Sequence, residues 1–221
     1  MVRPSFMHPH ALDERHELCQ TLRRTPPDSA TLCGDWTAAQ LTAHMVQRER
    51  SLTEALGRLP VDGFRARAEA RLADIVAADP YTELVDSLDA GPPRFSPWAL
   101  PVMREAVNLL EYAIHHEDVR RVGPEYSPRP ISVARQRAIW QRLHLSAPLT
   151  MRNVPVGVTL IWPGHSQLST RRAKRGGASV IVSGDPLELA LVTFGRQRVA
   201  RVDYGGAPAD VRAVSGAQIA I

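Results

Sequence analysis

Cysteine, lysine and long apolar runs are all scarce in this sequence. Only Cys19 and Cys33 occur, and no C-x-x-C pair argues that they bridge or do redox work. They fit a reducing compartment, where free thiols are usually buried and inert. No stretch approaches the roughly 18 apolar residues that spanning a bilayer requires. The opening "MVRPSFMHPHALDERHELC" has no apolar run of signal-peptide length. The expectation is a soluble, cytoplasmic protein with no membrane partner. Lys174 is the only lysine, although Lys and Arg together number 27 against 23 acids. The net charge of +4 therefore comes from arginine, a bias that GC-rich coding produces without any nucleic-acid surface. The arginines are interleaved with acids, as in "QRERSLTEALGR", and only "STRRAKRGG" (169–177) forms a local run, which reads as a solvated loop. No nucleic-acid partner is expected.

What is present suffices for a proper core: 221 residues, 44% of them hydrophobic. The first two thirds read as helices. "ALDERHELCQTLRR" (11–24) makes the first and stops at consecutive prolines. Thr37 followed by Gln40 has the form of a capping box, so a second helix is predicted from Ala38 to about Leu56. "FRARAEARLADIVAA" and "YTELVDSLDA" read as shorter helices. The breaker-rich "GPPRFSPWALP" precedes a long helix to about Val122, and "ISVARQRAIWQRLHLSAPLTM" supplies another. Four principal helices with short connections suit an antiparallel bundle over residues 1–150. Beyond Asn153 the pattern changes. "VPVGVTLIW", "ASVIVSG" and "RVARVDYGG" read as strands, and "DPLELALVTFG" as a helix with Pro186 at its first position and Gly195 as terminator. "APADVRAV" is a further helical candidate, giving a small α+β domain over 151–221.

One stretch carries chemistry. In "NLLEYAIHHEDVRR" (108–121), Asn108, Glu111, His115 and Asp118 recur at steps of three and four, so they share one helical face. Glu111 and His115, one turn apart, are close enough to grip one ion. Helix two offers a third ligand in His44, on or beside an inward stripe of Leu41, Met45, Leu52 and Ala55. An imidazole among leucines needs partners for both nitrogens, and a shared cation meets that need. Glu-x-x-x-His alone is also a plain helix-stabilising pair. His116 points about 100° away, toward solvent or an acid. Asp118 is either an acceptor orienting His115 or an exposed acid near Arg121.

"LCGDWTAAQLTAHMVQRE" resembles a pattern of Gly, a Trp-Thr pair and a helix carrying "AH"; "NLLEYAIHHEDVRR" resembles its partner. Together they resemble the DinB-like metalloprotein superfamily, and more closely its branch related to mycothiol-dependent maleylpyruvate isomerase. "VSGDPLELALVTFGR" resembles the small sterol-carrier-like domain that follows that bundle. The resemblance implies a mainly α fold, a DinB-like four-helix up-down bundle followed by a small α+β domain. It implies a divalent metal, typically zinc, on His44, Glu111 and His115, and an anion-holding catalytic arginine, best matched by Arg196. Arg196 also reads as a surface arginine after a helix-ending glycine.

The chemistry implied is activation of a low-molecular-weight thiol, mycothiol, for attack on an electrophilic substrate, by a transferase or isomerase. The thiolate is the nucleophile, and coordination to a cation deprotonates the thiol. Two imidazoles and one carboxylate leave such a site net positive and open to substrate. The same set describes the facial triad of non-heme iron oxygenases, but those ligands commonly sit on β-barrel strands. The alternatives are a DinB-like metal binder without turnover and, resting on charge alone, a regulatory nucleic-acid-associated protein. The partners expected are the thiol and its electrophile, for a monomer or homodimer.

Overall fold

The spacing of Thr37 and Gln40 produces the local structure it predicts. The Thr37 backbone N–H donates to Gln40 Oε1 at 2.9 Å, and the Gln40 N–H donates back to Thr37 Oγ1 at 3.3 Å. Two amide donors at the head of a helix, which have no partner inside it, are thereby satisfied. The computed structural model describes residues 10–50, 72–93, 108–173 and 177–219. The chain divides into two units, Met1–Ser127 and Pro128–Ile221.

The first unit contains α1 (His10–Leu22), α2 (Ala38–Arg50), α3 (Tyr81–Ala90) and α4 (Leu109–Arg120), and residues 72–78 are also helical. The predicted continuation of the second helix to Leu56, with Leu52 and Ala55 of its stripe, lies outside the described residues. α1 packs along α4 and against α3, and α2 packs against α3. Leu18, Leu22, Leu41, Met45, Leu88 and Leu109 are each almost wholly buried at these contacts.

The unusual element is α4. Every residue from Leu109 to Asp118 is buried, its five charged or imidazole side chains included. Its polar face therefore meets protein rather than water. Burying such groups costs several kcal/mol unless each finds a partner. Tyr112 donates to the buried Glu49 of α2, His116 meets Glu14 of α1, and Glu117 holds Arg120 and Arg121. Burial pushes the Glu49 carboxyl up, opposed by the Tyr112 hydroxyl and by Arg15 and Arg48.

The second unit holds α5 (Val133–Thr150), β1 (Gly157–Trp162), β2 (Ser166–Arg171), β3 (Ser179–Ser183), α6 (Pro186–Thr193), β4 (Asp203–Gly205) and α7 (Pro208–Ser215). The strands form one mixed sheet in the order β2-β1-β3-β4, with β1 parallel to β3 and the outer pairings antiparallel. Val180 and Val182 alternate inward along β3 while Ile181 is 45% exposed on the other face. α6 is buried around its whole circumference, as its run of Leu, Ala and Val requires. Gly195 ends it at φ 83°, a left-handed conformation that favours glycine.

Two features differ from the sequence reading. The expected boundary at 150/151 falls instead at 127/128, because α5 packs on α6 and β2. Ile139, Trp140, Leu143 and Ala147 form its buried stripe. β2 was not expected at all. It is a polar edge strand with five of six residues at least partly out of the core, and its identity comes from its ladder with β1. The "PG" at 163–164, with Gly164 at φ 74°, is the turn signal that announces it.

Candidate metal centre

The loop between α1 and α2 is built tightly. Leu32 N–H donates to the Asp118 carbonyl at 3.0 Å, and Trp36 N–H donates to the Cys33 carbonyl across a turn with Gly34 at φ 60°. Glycine suits that turn because other residues strain in the left-handed region. The turn sets Cys33 beside the C-terminal half of α4. Trp36 packs on His44, with ring centroids 5.0 Å apart.

His115 stands at the centre of the cluster. Its Nδ1 lies 2.9 Å from Asp118 Oδ2, and the Cys33 thiol donates to the same oxygen at 2.9 Å. An ionised carboxylate only accepts, so Nδ1 carries a hydrogen and donates it. The other ring nitrogen, Nε2, is turned toward Glu111 Oε2 at 3.6 Å. The His44 ring approaches edge-on, with centroids 5.8 Å apart. On the far side of Glu111, Arg48 Nη2 lies 3.7 Å from Oε1, and its Nη1 donates to Asn108 Oδ1 at 2.8 Å.

The three residues expected to share an ion, His44, Glu111 and His115, are thus neighbours. Glu111 and His115 are buried, and His44 is partly so. Among the described residues, the groups whose ligand atoms all lie within 4.8 Å of one another are Cys33, His115 and Asp118, and Glu14, Glu17 and His116. His44 and Glu111 are in neither. Burial alone would pull the His115 imidazole down, yet Cys33, Asp118 and Glu111 hold it well above its usual range. The centre attracts positive charge.

Asp118 is fully buried and orients His115, rather than being exposed near Arg121. His116 is not turned to solvent. It is 2% exposed, with Nδ1 3.0 Å from Glu14 Oε1 and Nε2 2.8 Å from Thr21 Oγ1. Arg196 lies in the second unit, where its Nη1 donates to the Phe194 carbonyl at 2.5 Å and its backbone N–H to the Leu191 carbonyl at 2.8 Å. Both contacts serve the C-terminus of α6. Sequence reasoning missed Cys33 and Arg48. Arg48 follows His44 by four residues, the same spacing as Glu111 and His115, and that repetition is the available signal. The chain matches no protein-family profile, no curated protein and no solved structure.

The two thiols should behave differently. Burial, reinforced by Asp89, pushes the Cys19 thiol up to about 12. At pH 8 its thiolate fraction is then about one in ten thousand. Cys33 is partly exposed. Timed alkylation with iodoacetamide, read by peptide mass spectrometry, is expected to modify Cys33 in the native protein and Cys19 only after unfolding. Equal labelling of both in buffer would contradict the burial of α1.

Proposed function

We propose that the protein binds a divalent metal, zinc by preference, on His44, Glu111 and His115, and uses it to activate a small thiol of the mycothiol type. The resulting activity is that of a transferase or isomerase on an electrophilic substrate. One observation carries the reading: Asp118 fixes the hydrogen on His115 Nδ1 and thereby turns Nε2 toward the Glu111 carboxylate, 3.6 Å away. Metal–ligand bonds of about 2.0–2.2 Å at a tetrahedral angle set neighbouring donor atoms roughly 3.3–3.5 Å apart. A carboxylate behind the imidazole is also the usual partner of a metal-bound histidine. The resemblance to the DinB-like superfamily, its maleylpyruvate-isomerase-related branch above all, supports the same ligand set.

A divalent cation held there would supply Lewis acidity and favour the thiolate form of a small thiol near neutral pH. The chain's own residues do the rest. Asp118 orients His115, Arg48 holds the outer oxygen of Glu111, and Trp36 walls off His44. The finer architecture, an up-down DinB-like bundle with a sterol-carrier-like domain behind it, belongs to this proposal too. Arg196 as an anion holder rests on the motif alone.

Elemental analysis of purified wild type and His44→Ala tests the site. Wild type should carry about one equivalent there and His44→Ala should lose it; retention by the variant removes His44 from the ligand set. Cys33→Ser is the companion variant. If it strips the metal while His44→Ala does not, the ion sits on the Nδ1 edge of His115, with Cys33 and Asp118. Incubating the loaded protein with mycothiol and a reactive electrophile then separates enzyme from binder. Absence of any adduct or isomerised product favours a metal binder without turnover.

A further inference from the structure

We propose that Glu14, Glu17 and His116 form a second divalent-cation site, which ties α1 to α4. The site is independent of the first centre, since it shares none of that centre's ligands. Glu14 and Glu17 lie one turn apart on α1, and His116 faces them from α4, the helix along which α1 packs. One ligand atom from each lies within 4.8 Å of the other two. Glu14 and His116 are buried to 0% and 2% exposure, and Glu17 reaches the same point from the partly exposed edge.

The ring of His116 is held for the purpose. The Thr21 hydroxyl donates to the Glu17 carbonyl at 3.2 Å, so it receives rather than gives a hydrogen at His116 Nε2, 2.8 Å away. That assigns the hydrogen to Nε2 and directs Nδ1 at Glu14 Oε1, 3.0 Å away. The separation is close to the roughly 3.3–3.5 Å that two nitrogen and oxygen ligands of one tetrahedral ion keep. Two carboxylates balance a divalent charge, which low-dielectric surroundings favour. With oxygen and nitrogen donors and no sulfur, the set suits borderline first-row ions such as zinc, cobalt or manganese. Two adjacent histidines of one helix, His115 and His116, about 100° apart round its axis, then serve separate ions.

A buried imidazolium–carboxylate pair of His116 with Glu14 alone is the competing account, and Glu17 separates the two. The pair does not need Glu17; the cation site does. Glu17 is also the least buried of the three, so Glu17→Gln leaves the fold in place. With full-length protein and Zn2+ alone as probe, wild type should take up two equivalents. Glu17→Gln and His44→Ala should each take up one, and their combination close to none. Excess zinc should raise the melting midpoint by about 5 °C or more in His44→Ala and leave it unmoved in the combined variant. If Glu17→Gln and His116→Gln both bind as much zinc as wild type, the proposal is wrong. A single wild-type equivalent lost in His44→Ala but kept in Glu17→Gln also overturns it and leaves the first centre standing. The reverse pattern supports this site and removes the other.

Discussion

Replacing His115 by alanine is expected to abolish metal binding at the first centre, the largest functional effect of any single change. His115 is where three contacts meet: Asp118 and Cys33 on its Nδ1 edge, and Glu111 on its Nε2 edge. Losing it removes a ligand and leaves two carboxylates facing one another across a buried gap. The loss should exceed the about 10–100-fold drop in affinity that follows removal of an outer partner. Asp118→Asn provides that smaller reference. It keeps the shape but offers its acceptor less strongly to both His115 and Cys33. Zinc affinity measured by competition with a chromophoric chelator is expected to rank wild type above Asp118→Asn above His115→Ala. An Asp118→Asn protein with wild-type affinity would mean that His115 is not oriented from behind.

Arg121→Met is expected to cost about 3 kcal/mol of stability, a loss typical of breaking a buried ion pair. Glu117 and Arg121 are 0% and 1% exposed, and the guanidinium also lies over the Tyr126 ring at 4.9 Å. Removing the arginine takes a fully buried countercharge from the Glu117 carboxylate and leaves the part-exposed Arg120 beside it. Arg120→Met is the natural comparison. Its side chain is 23% exposed, so solvent screens it and the same substitution should cost about 1 kcal/mol or less. Urea denaturation of both variants decides the matter; equal losses would show that Glu117 is balanced by the pair jointly rather than by Arg121.

What the sequence made legible was local. The capping box, the glycine that ends α6 and the breakers around α3 are written in residues that touch neighbours along the chain. The shared face of Asn108, Glu111, His115 and Asp118 was legible for the same reason. Periodicity gave the face but not its surroundings, because solvent and a buried polar interior impose the same spacing. Partners far along the chain left no trace. Cys33 meets His115 and Asp118 across 82 and 85 residues, and Glu14 meets His116 across 102. β2 was hidden by its composition, since an edge strand needs neither alternation nor bulk when its ladder is supplied by β1. α5 was recognised as a helix but assigned to the wrong neighbours, because an amphipathic stripe states that a partner exists without saying which.

The assignment of α5 has a practical meaning for anyone dissecting the gene. A fragment ending after codon 150 would carry off the helix that lies on α6 and β2, stripping the sheet of its cover. The proline-studded linker around Pro124, Pro128 and Pro130 is the better seam, for a cut there leaves α5 with the sheet and α6 on which it lies.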